Sequence, residues 1–276
     1  MSPARPGRRR PAPASGQAVW VAADLSPADW MIPLGTEDAA EIVGVLLALA
    51  AAAPEPPMPR CAAVFATLRE RLTEGRGFAL LRGLAPDAAP GGTEALLGIL
   101  GRHLGAAPVA AGQEYLGAEP APGFEPGRGL RALLGLRMAG QGVVTLVSAG
   151  ALHNAVLLRD RALLGELYEP LPVVQGSGLV AEPVFVQAEG GFSGRLDLEG
   201  MAAAEAPPHG ATLTGRQRAA IAMLSDLAEG AEHAFRLEVR PGDLLCLDSR
   251  LVWQRRMARA MGAEPAFLLA PLGVAT

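Results

Sequence analysis

The sequence predicts an α+β protein built around a β-sandwich or barrel. Segments with helical spacing dominate the first part of the chain, and short β-like runs separated by turn residues dominate the last part. The chain has 276 residues, of which 50% are hydrophobic and 19% are charged. It can therefore bury a large core, and most of it should fold.

The first three predicted helices of the chain lie before residue 106. Apolar residues at helical spacing predict helices over about 37–53, 62–73 and 93–104, and a strand between glycines over 77–84. The stretch 106–131 is rich in glycine, proline and alanine and has no period of two or 3.6 residues. No regular element is predicted there until a strand begins near residue 130.

The central unit of the chain is a strand followed by a helix. A β-branched run over 143–148 predicts a buried strand, because stiff branched side chains pack well on a pleated sheet. Ser148 can cap the helix that follows, and Pro170 ends that helix after Tyr168.

Short strands and one further helix are predicted after the central unit. A helix over about 214–229 has Thr212 or Thr214 as its cap. The predicted strands cover 173–174, 183–187, 193–198, 235–239, 244–247, 252–253 and 267–269.

The composition excludes several classes of partner. A net charge of −4 argues against non-specific binding to nucleic acid, and no apolar run reaches the roughly 20 residues of a membrane span. Cys61 and Cys246 are expected to be buried free thiols, as in a reducing cytoplasm. Residues 1–17 form an Arg/Pro-rich segment that we expect to be a disordered tail, without the apolar segment of a signal peptide.

Five segments resemble a known enzyme family, and they occur in the family's order. They resemble its "GFALLRGL" strand, "LG..LG" helix end, "LLCLRPA" strand, "T.LVSA.ALHN" segment and "L...PGD" turn. The family is the TauD/TfdA (taurine dioxygenase-like) group of Fe(II)/2-oxoglutarate-dependent dioxygenases. The resemblance implies one domain over 18–276, with a double-stranded β-helix (jelly-roll) core, flanking helices, and a shortened, remodelled segment at about 106–131. The matching segments are 77–84, 100–105, 133–139, 143–154 and 237–243.

The resemblance also indicates that the family's iron ligands are missing. Such enzymes hold iron with two histidines and one carboxylate. The places of the His-x-Asp motif fall on Phe124, Glu125 and Pro126, and the place of the third ligand falls on Gln254. None of the four histidines of the chain has Asp or Glu two places later, so the motif is absent everywhere.

The co-substrate site implied by the resemblance is also incomplete. The family's two arginines on the last strand correspond to Ala266 and Ala270, and alanine cannot clamp a carboxylate. Thr145 matches the family's threonine and is the one expected relic of the 2-oxoglutarate site. Asp248 and Arg256 are candidate pocket residues that could pair with each other, or Arg256 could bind an anion.

We therefore expect a catalytically inactive protein with the dioxygenase fold, no catalytic residue, no metal ligand and no cofactor. It would bind a small molecule, or a protein partner in an oligomer with itself or a related chain. An active Fe(II)/2-oxoglutarate oxidoreductase with relocated ligands is the alternative, and a relic without a selected role is a third hypothesis. Relocation requires a carboxylate to meet two of four histidines, and these are His103, His153, His209 and His233.

Three details of this hypothesis depend on burial. His153 is expected to be a half-buried packing residue of the helix, and the acidic set Glu114, Glu119 and Glu125 is expected to be a solvated loop. The old pocket would be plugged if Phe124, Trp253 and Gln254 filled it, and open otherwise.

Overall fold

A computed structural model describes residues 11–108, 113–125, 129–136, 142–188, 191–259 and 266–274. Its eight α-helices in the described part of the chain are α1 (Pro27–Trp30), α2 (Thr36–Ala50), α3 (Pro59–Thr73), α4 (Gly92–Leu104), α5 (Ala149–Arg159), α6 (Arg161–Leu167), α7 (Leu198–Glu205) and α8 (Gly215–Glu229). The strands are β1 (Met31–Pro33), β2 (Phe78–Arg82), β3 (Ala106–Pro108), β4 (Gln113–Phe124), β5 (Leu130–Gly135), β6 (Gly142–Ser148), β7 (Leu171–Gln175), β8 (Gly178–Glu182), β9 (Phe185–Ala188), β10 (Gly191–Gly194), β11 (Phe235–Val239), β12 (Leu244–Asp248), β13 (Val252–Arg259) and β14 (Phe267–Val274).

One large sheet folds over a shared interior. Its strand order is β1-β2-β12-β5-β14-β4-β13-β6-β11, with β3 paired to β14, while β7–β8 and β9–β10 form two separate two-stranded sheets. Phe78 of β2 and Leu237 of β11 lie almost at opposite ends of this order, yet they belong to one buried cluster. The sheet therefore closes on itself, which confirms the predicted α+β class with a jelly-roll core and flanking helices.

Three buried clusters surround the sheet, and we name them by position. The interior cluster lies inside the folded sheet and includes Phe78, Val144, Leu146 and Phe267. The helical cluster lies between the sheet and helices α2 to α4. The outer cluster lies on the opposite face of β6 and β13, where helices α5 to α8 and strand β9 pack.

Order begins earlier in the chain than predicted. Ala14 is buried, and its backbone N–H and C=O both bond to the side-chain amide of Asn154 on α5, at 2.8 and 2.9 Å. The Ser148 hydroxyl donates to the carbonyl of Ala18 at 2.6 Å. The expected disordered tail is therefore wrong for Ala14, because Asn154 of α5 satisfies both of its backbone groups. Residues 1–10 of that tail lie outside the described residues.

The segment 106–131 differs most from the prediction. Strands β3 and β4 occupy most of its described part, and β4 pairs with both β13 and β14. Main-chain hydrogen bonds to two neighbouring strands hold β4 in place although its sequence has no alternation of apolar and polar residues. Its ladder with β13 contains two register shifts, which are typical of bulges and accommodate glycine and proline.

Two other predicted elements differ in detail, and two elements are additional. The helix after Ser148 is divided at Asp160, whose carboxylate caps α6 by accepting from the N–H groups of Ala162 and Leu163. The predicted strand 193–198 ends at Gly194, and Asp197 caps the unpredicted helix α7. Strand β8 was not predicted, because its residues show little burial.

The remaining long helices agree with the prediction within a few residues. Ser148 caps α5 by accepting from Ala151 N–H at 3.1 Å, and Thr214 caps α8 by accepting from Gln217 N–H at 3.2 Å. Among the described residues, no helix is long and apolar enough to cross a membrane.

The docking of the N-terminal segment on α5 requires a glycine. A Cβ atom at Gly150 would lie 2.7 Å from Val19 Cγ2 and 3.5 Å from Ala14 Cβ. We expect Gly150→Ala to lower the free energy of unfolding by about 1–3 kcal/mol, because valine is stiff and cannot yield without moving its backbone. Urea unfolding measures this change.

Gly44→Ala is the matched control for this prediction. Gly44 is exposed in the middle of α2, and a Cβ atom there meets nothing within 4 Å. The control should raise the free energy of unfolding by about 0.5–1 kcal/mol, since alanine is the better helix former. Equal stabilisation by both variants would contradict the close approach at Gly150.

Candidate functional site

Strand β13 carries the position that the resemblance assigns to the third iron ligand. Gln254 pairs with Leu146 of β6, and Trp253 pairs with Val147. Leu146 belongs to the interior cluster, whereas Val147 belongs to the outer cluster. Because directly opposed residues share a face of the sheet, Gln254 faces the interior and Trp253 faces the outer cluster.

Strand β4 places its residues on the same two faces. Phe124 pairs with Arg255 and lies against Trp253 in the outer cluster, with ring centroids 5.8 Å apart. The next residue, Glu125, donates its backbone N–H to the carbonyl of Gln254 at 2.9 Å. Its carboxylate accepts the hydroxyl hydrogen of Tyr115, an interior-cluster residue, at 2.6 Å.

These contacts correct two expectations. The residue that faces the interior beside Gln254 is Glu125, and Phe124 points to the other side of the sheet. Phe124 and Trp253 therefore do not plug the interior, because both belong to the outer cluster. Glu125 is buried, so it is not part of a solvated acidic loop. Pro126 and the side chain of Glu119 lie outside the residues described here.

An arginine completes the polar group in the interior. Arg131 of β5 pairs with Leu247, an interior-cluster residue, so its side chain also points inward. Its Nη1 atom lies 3.9 Å from Oε2 of Glu125. Burial lowers the pKa of the Arg131 guanidinium, and the negative charge of Glu125 acts in the opposite direction. We call Tyr115, Glu125, Arg131 and Gln254 the interior polar group.

The amide of Gln254 is poorly satisfied. Its side chain is only 1% exposed, its Nε2 atom lies 3.5 Å from the sulfur of Met257, and Oε1 has no hydrogen-bond partner among the described residues. Exchanging the amide oxygen and nitrogen would leave the N–H groups unsatisfied instead. Such an orphaned buried group costs about 1–3 kcal/mol.

The interior polar group does not fit Fe(II). A facial iron site needs two imidazoles and a carboxylate, whereas this position offers an amide and a single carboxylate. The adjacent charge of Arg131 further opposes a dication. Within the described ranges, no group of three or more His, Cys, Asp or Glu side chains is arranged to hold a metal ion.

The residues expected at the co-substrate site do not come together. Ala266 belongs to the interior cluster, but Ala270 belongs to the helical cluster on the other face of the sheet. Thr145 lies on β6 between Val144 and Leu146, which both face the interior, so its own side chain faces away. Thr145 and Gln254 therefore lie on opposite faces.

Asp248 and Arg256 do not form the expected pair. Asp248 is buried and accepts two-pronged hydrogen bonds from Arg250, from Nε at 2.9 Å and from Nη2 at 2.6 Å. Arg256 instead places Nη1 2.5 Å from a carboxylate oxygen of Glu199 on α7. Asp248 is linked to a cavity through Arg250, which lies in its lining.

A cavity of about 270 Å³ lies beside strands β8 to β10, and we call it the β8–β10 cavity. Arg195 lies in its wall and forms ion pairs with Glu182 and with Asp197, the latter at 3.1 Å. The positive charge of Arg195 also contributes to lowering the pKa of the Arg131 guanidinium. The lining residues are Glu182, Pro183, Val184, Val186, Ser193, Gly194, Arg195 and Arg250.

The sequence and the resemblance single out Glu125 and Gln254, but they do not identify Tyr115, Arg131 or the lining residues of this cavity. One usable feature was present: Arg195 and Asp197, like Asp248 and Arg250, are opposite charges two residues apart in otherwise apolar surroundings. Arg131 is similarly the only charge in the buried run 130–135. A lone charge on the inward face of a strand indicates a buried partner elsewhere in the chain.

The histidines have separate surroundings. His103 stacks on Phe65 of α3, with ring centroids 4.5 Å apart, and His209 lies in the loop after α7. His233 is buried before β11, with Nε2 3.9 Å from Glu232. His153 is fully buried in the outer cluster, where half-burial was expected. No described carboxylate joins two of these histidines.

The hydrogen bonds of His153 define its tautomer. Asn154 uses its amide nitrogen to donate to Ala14, so its Oδ1 atom accepts from Nδ1 of His153 at 3.0 Å. Nε2 of His153 then accepts the hydroxyl hydrogen of Tyr168 at 2.8 Å. Burial lowers the pKa of His153 and raises the pKa of Tyr168 to about 12. The neutral imidazole therefore links the N-terminal segment to the outer cluster.

Solved structures of non-heme iron oxygenases share the fold of this chain. An asparagine oxygenase in complex with Fe(II), 3-hydroxyasparagine and succinate aligns with a TM-score of 0.61 and 16% identity over 89% of this chain and 93% of its own. The oxygenase OrfP in complex with Fe, succinate and dihydroxy-L-Arg aligns with a TM-score of 0.62 and 16% identity over 89% and 94%. No protein-family model and no curated protein sequence matches the chain.

The orphaned amide gives a prediction about stability. We expect Gln254→Leu to leave the free energy of unfolding unchanged or to raise it by up to about 3 kcal/mol, because the substitution removes a buried carbonyl without a partner. Gln254→Glu is the contrasting variant and should destabilise, since it buries a second carboxylate beside Glu125. A loss of stability in Gln254→Leu, measured by urea unfolding, would show that the amide has partners.

The neutral state of His153 gives a prediction about pH. Its pKa in the folded protein is below the ordinary value of 6.5, so the unfolded chain binds the proton first as the pH falls. Stability should be fully present above about pH 6.5 and decline below it, by at most about 1.4 kcal/mol per pH unit for each such histidine. Burial lowers the pKa of His233 in the same direction, so both contribute.

Urea unfolding between pH 8 and pH 5 measures this decline. His153→Gln should make the decline of stability with falling pH shallower. Part of the decline should remain, because His233 also contributes to it. His209→Gln, in the loop after α7, is the control and should leave it unchanged. An identical pH dependence in His153→Gln and the parent chain would contradict the assigned neutral state.

Proposed function

We propose that this chain is a non-catalytic protein with the Fe(II)/2-oxoglutarate oxygenase fold and that it acts by binding a small molecule in the β8–β10 cavity. The observation that carries the proposal is the position of Gln254. It faces the interior where the resemblance places a histidine ligand, and its amide oxygen has no partner among the described residues. The chain retains the oxygenase fold, but the position of an iron ligand is altered. This combination favours a protein that binds a small molecule without oxidising it.

The electrostatics of the interior support the loss of metal chemistry. Glu125 bonds to the backbone of Gln254, and its carboxylate is held by the Tyr115 hydroxyl and the Arg131 guanidinium. A metal on this carboxylate would compete with both contacts and would set a second positive charge beside the Arg131 guanidinium. The interior polar group thus supplies its own cation, the Arg131 guanidinium, beside the Glu125 carboxylate.

The residues of β14 at the expected 2-oxoglutarate site support the same conclusion. The described inward positions of β14 include Phe267 and Leu269, which belong to the interior cluster and cannot bind a carboxylate. The one guanidinium that enters from the neighbouring strand, Arg131, already faces Glu125.

An active oxygenase with relocated ligands is less well supported. It would need two imidazoles and a carboxylate in mutual reach. His103 is stacked on Phe65, while both nitrogens of His153 are engaged by Asn154 and Tyr168. Relocation onto either of these histidines would break its contacts before any metal could bind.

Incubation with Fe(II), 2-oxoglutarate and oxygen tests the proposal. We expect no succinate above the level of a protein-free control, because iron and co-substrate lack their ligands. The asparagine oxygenase of the same fold, assayed in parallel with asparagine, serves as the positive control for the reagents. Catalytic succinate formation by this chain would refute the proposal, whether or not a substrate is oxidised.

A further inference from the structure

We infer that the β8–β10 cavity binds a small monocarboxylate with a short branched apolar body and that Arg250 binds its carboxylate. This inference rests on the proposed small-molecule function and adds the chemical class of the ligand. It depends on two observations: the open edge of one guanidinium in the cavity lining, and the apolar character of the remaining wall.

Arg250 lies in the lining of the cavity, and one edge of its guanidinium has no acceptor among the described residues. A guanidinium carries five N–H donors in a planar fork. Asp248 occupies the edge formed by Nε and Nη2, and no described residue accepts a hydrogen bond from Nη1. Nη1 and the second hydrogen of Nη2 form a further edge that matches the two oxygens of a carboxylate.

Asp248 also holds this edge in place. It is 4% exposed, and besides the guanidinium it accepts the backbone N–H of Arg250 at 3.0 Å. The Arg250 side chain is 57% exposed although its inner edge is fixed. A guanidinium that is both accessible and pre-oriented loses little conformational entropy when it binds a ligand.

The acidic residues at the cavity are already engaged by protein donors. Glu182 accepts from Gln175 at 2.7 Å and from Arg195, and Asp197 accepts from the backbone N–H of Gly200 at 2.8 Å and from Arg195. They do not supply free acceptors for a cationic ligand.

The buried Nε atom of Arg195 takes no part in ligand binding, because no solvent-sized group reaches it. The Ser193 hydroxyl lies in the same lining as Arg250 and can donate to a ligand oxygen. Hydrogen bonding by Arg250 and Ser193 therefore favours a ligand with acceptor oxygens.

The remaining wall and the volume limit the rest of the ligand. Pro183, Val184 and Val186 form an apolar side of the cavity, and Val186 is 43% exposed. The volume of about 270 Å³ lies just below the range of about 300–1,000 Å³ typical of ligand pockets. A short branched hydrocarbon body fits both properties better than a long chain or a second charged group.

Calorimetric titration of the full chain with three probes tests the inference. The probes are 3-methylbutanoate, its neutral amide 3-methylbutanamide, and inorganic phosphate. We expect saturable one-site binding of 3-methylbutanoate and at least about tenfold weaker binding of the other two, because only the first offers both a carboxylate and an apolar body.

Variants identify the residue that binds the carboxylate. Arg250→Gln should raise the Kd of 3-methylbutanoate at least about tenfold, and Arg250→Lys, which keeps the charge without the fork, at least about threefold. Arg216→Gln is the matched control, because Arg216 is a similarly exposed arginine paired with Glu166 on α6, and it should not change the Kd. Thermal unfolding of each variant confirms that it is folded. If Arg250→Gln does not fold, the Kd of Arg250→Lys decides whether Arg250 binds the carboxylate.

Each other outcome overturns the inference. Equal binding of the amide would mean that the cavity does not select an anion, although small-molecule binding itself would survive. Equal binding of phosphate would mean that the apolar wall plays no part, and an unchanged Kd in Arg250→Lys would remove Arg250 from the site. No binding of 3-methylbutanoate would refute the ligand class without bearing on the succinate assay.

Discussion

The alternation of side chains along β13 determines what meets inside the folded sheet. This strand lies between β4 and β6: its residues 252–254 pair with β6, and Arg255, Met257 and Arg259 pair with β4. One face carries Gln254 into the interior, and the other carries Trp253 into the outer cluster. A shift by one residue would exchange these two sets of side chains, because the period of a strand is two. The interior polar group exists only in the register that the structure has.

Glu125 links three parts of the sheet at this position. Its backbone bonds to β13, while its carboxylate contacts Tyr115 of β4 and Arg131 of β5. A bound metal would join strands in a similar way through its ligands, and it would contribute binding energy to folding. Buried charges contribute less free energy to folding than a bound metal does, because their desolvation offsets much of their attraction. The chain thus keeps a cross-link between strands with the protein's own charges, at a position where the resemblance implies iron.

The elements with regular sequence patterns could be predicted, and the site could not. The strand ending at Ser148, the caps at Ser148 and Thr214, and the long helices follow from local composition and spacing. The orientation of Phe124 does not, because it depends on register shifts in β4 and on the positive φ of Gly123, which no local pattern reveals. The cavity likewise joins residues 182–195 to Arg250, and such long-range proximity is set by topology. Motif matching alone indicated lost ligands, but only the two faces of β13 show that Glu125 stands beside Gln254.

The most direct measurement of the central claim is the iron content of the chain after anoxic equilibrium with Fe(II) and removal of free metal. The interior polar group offers one carboxylate, one amide and an opposing guanidinium, so we predict no retained iron above that of a metal-free control protein. Gln254→Glu should retain none either, since the guanidinium of Arg131 remains. Stoichiometric iron in the parent chain, lost on substitution of Glu125 or Gln254, would contradict the account, because it would mean that the fold still assembles a metal centre at this place.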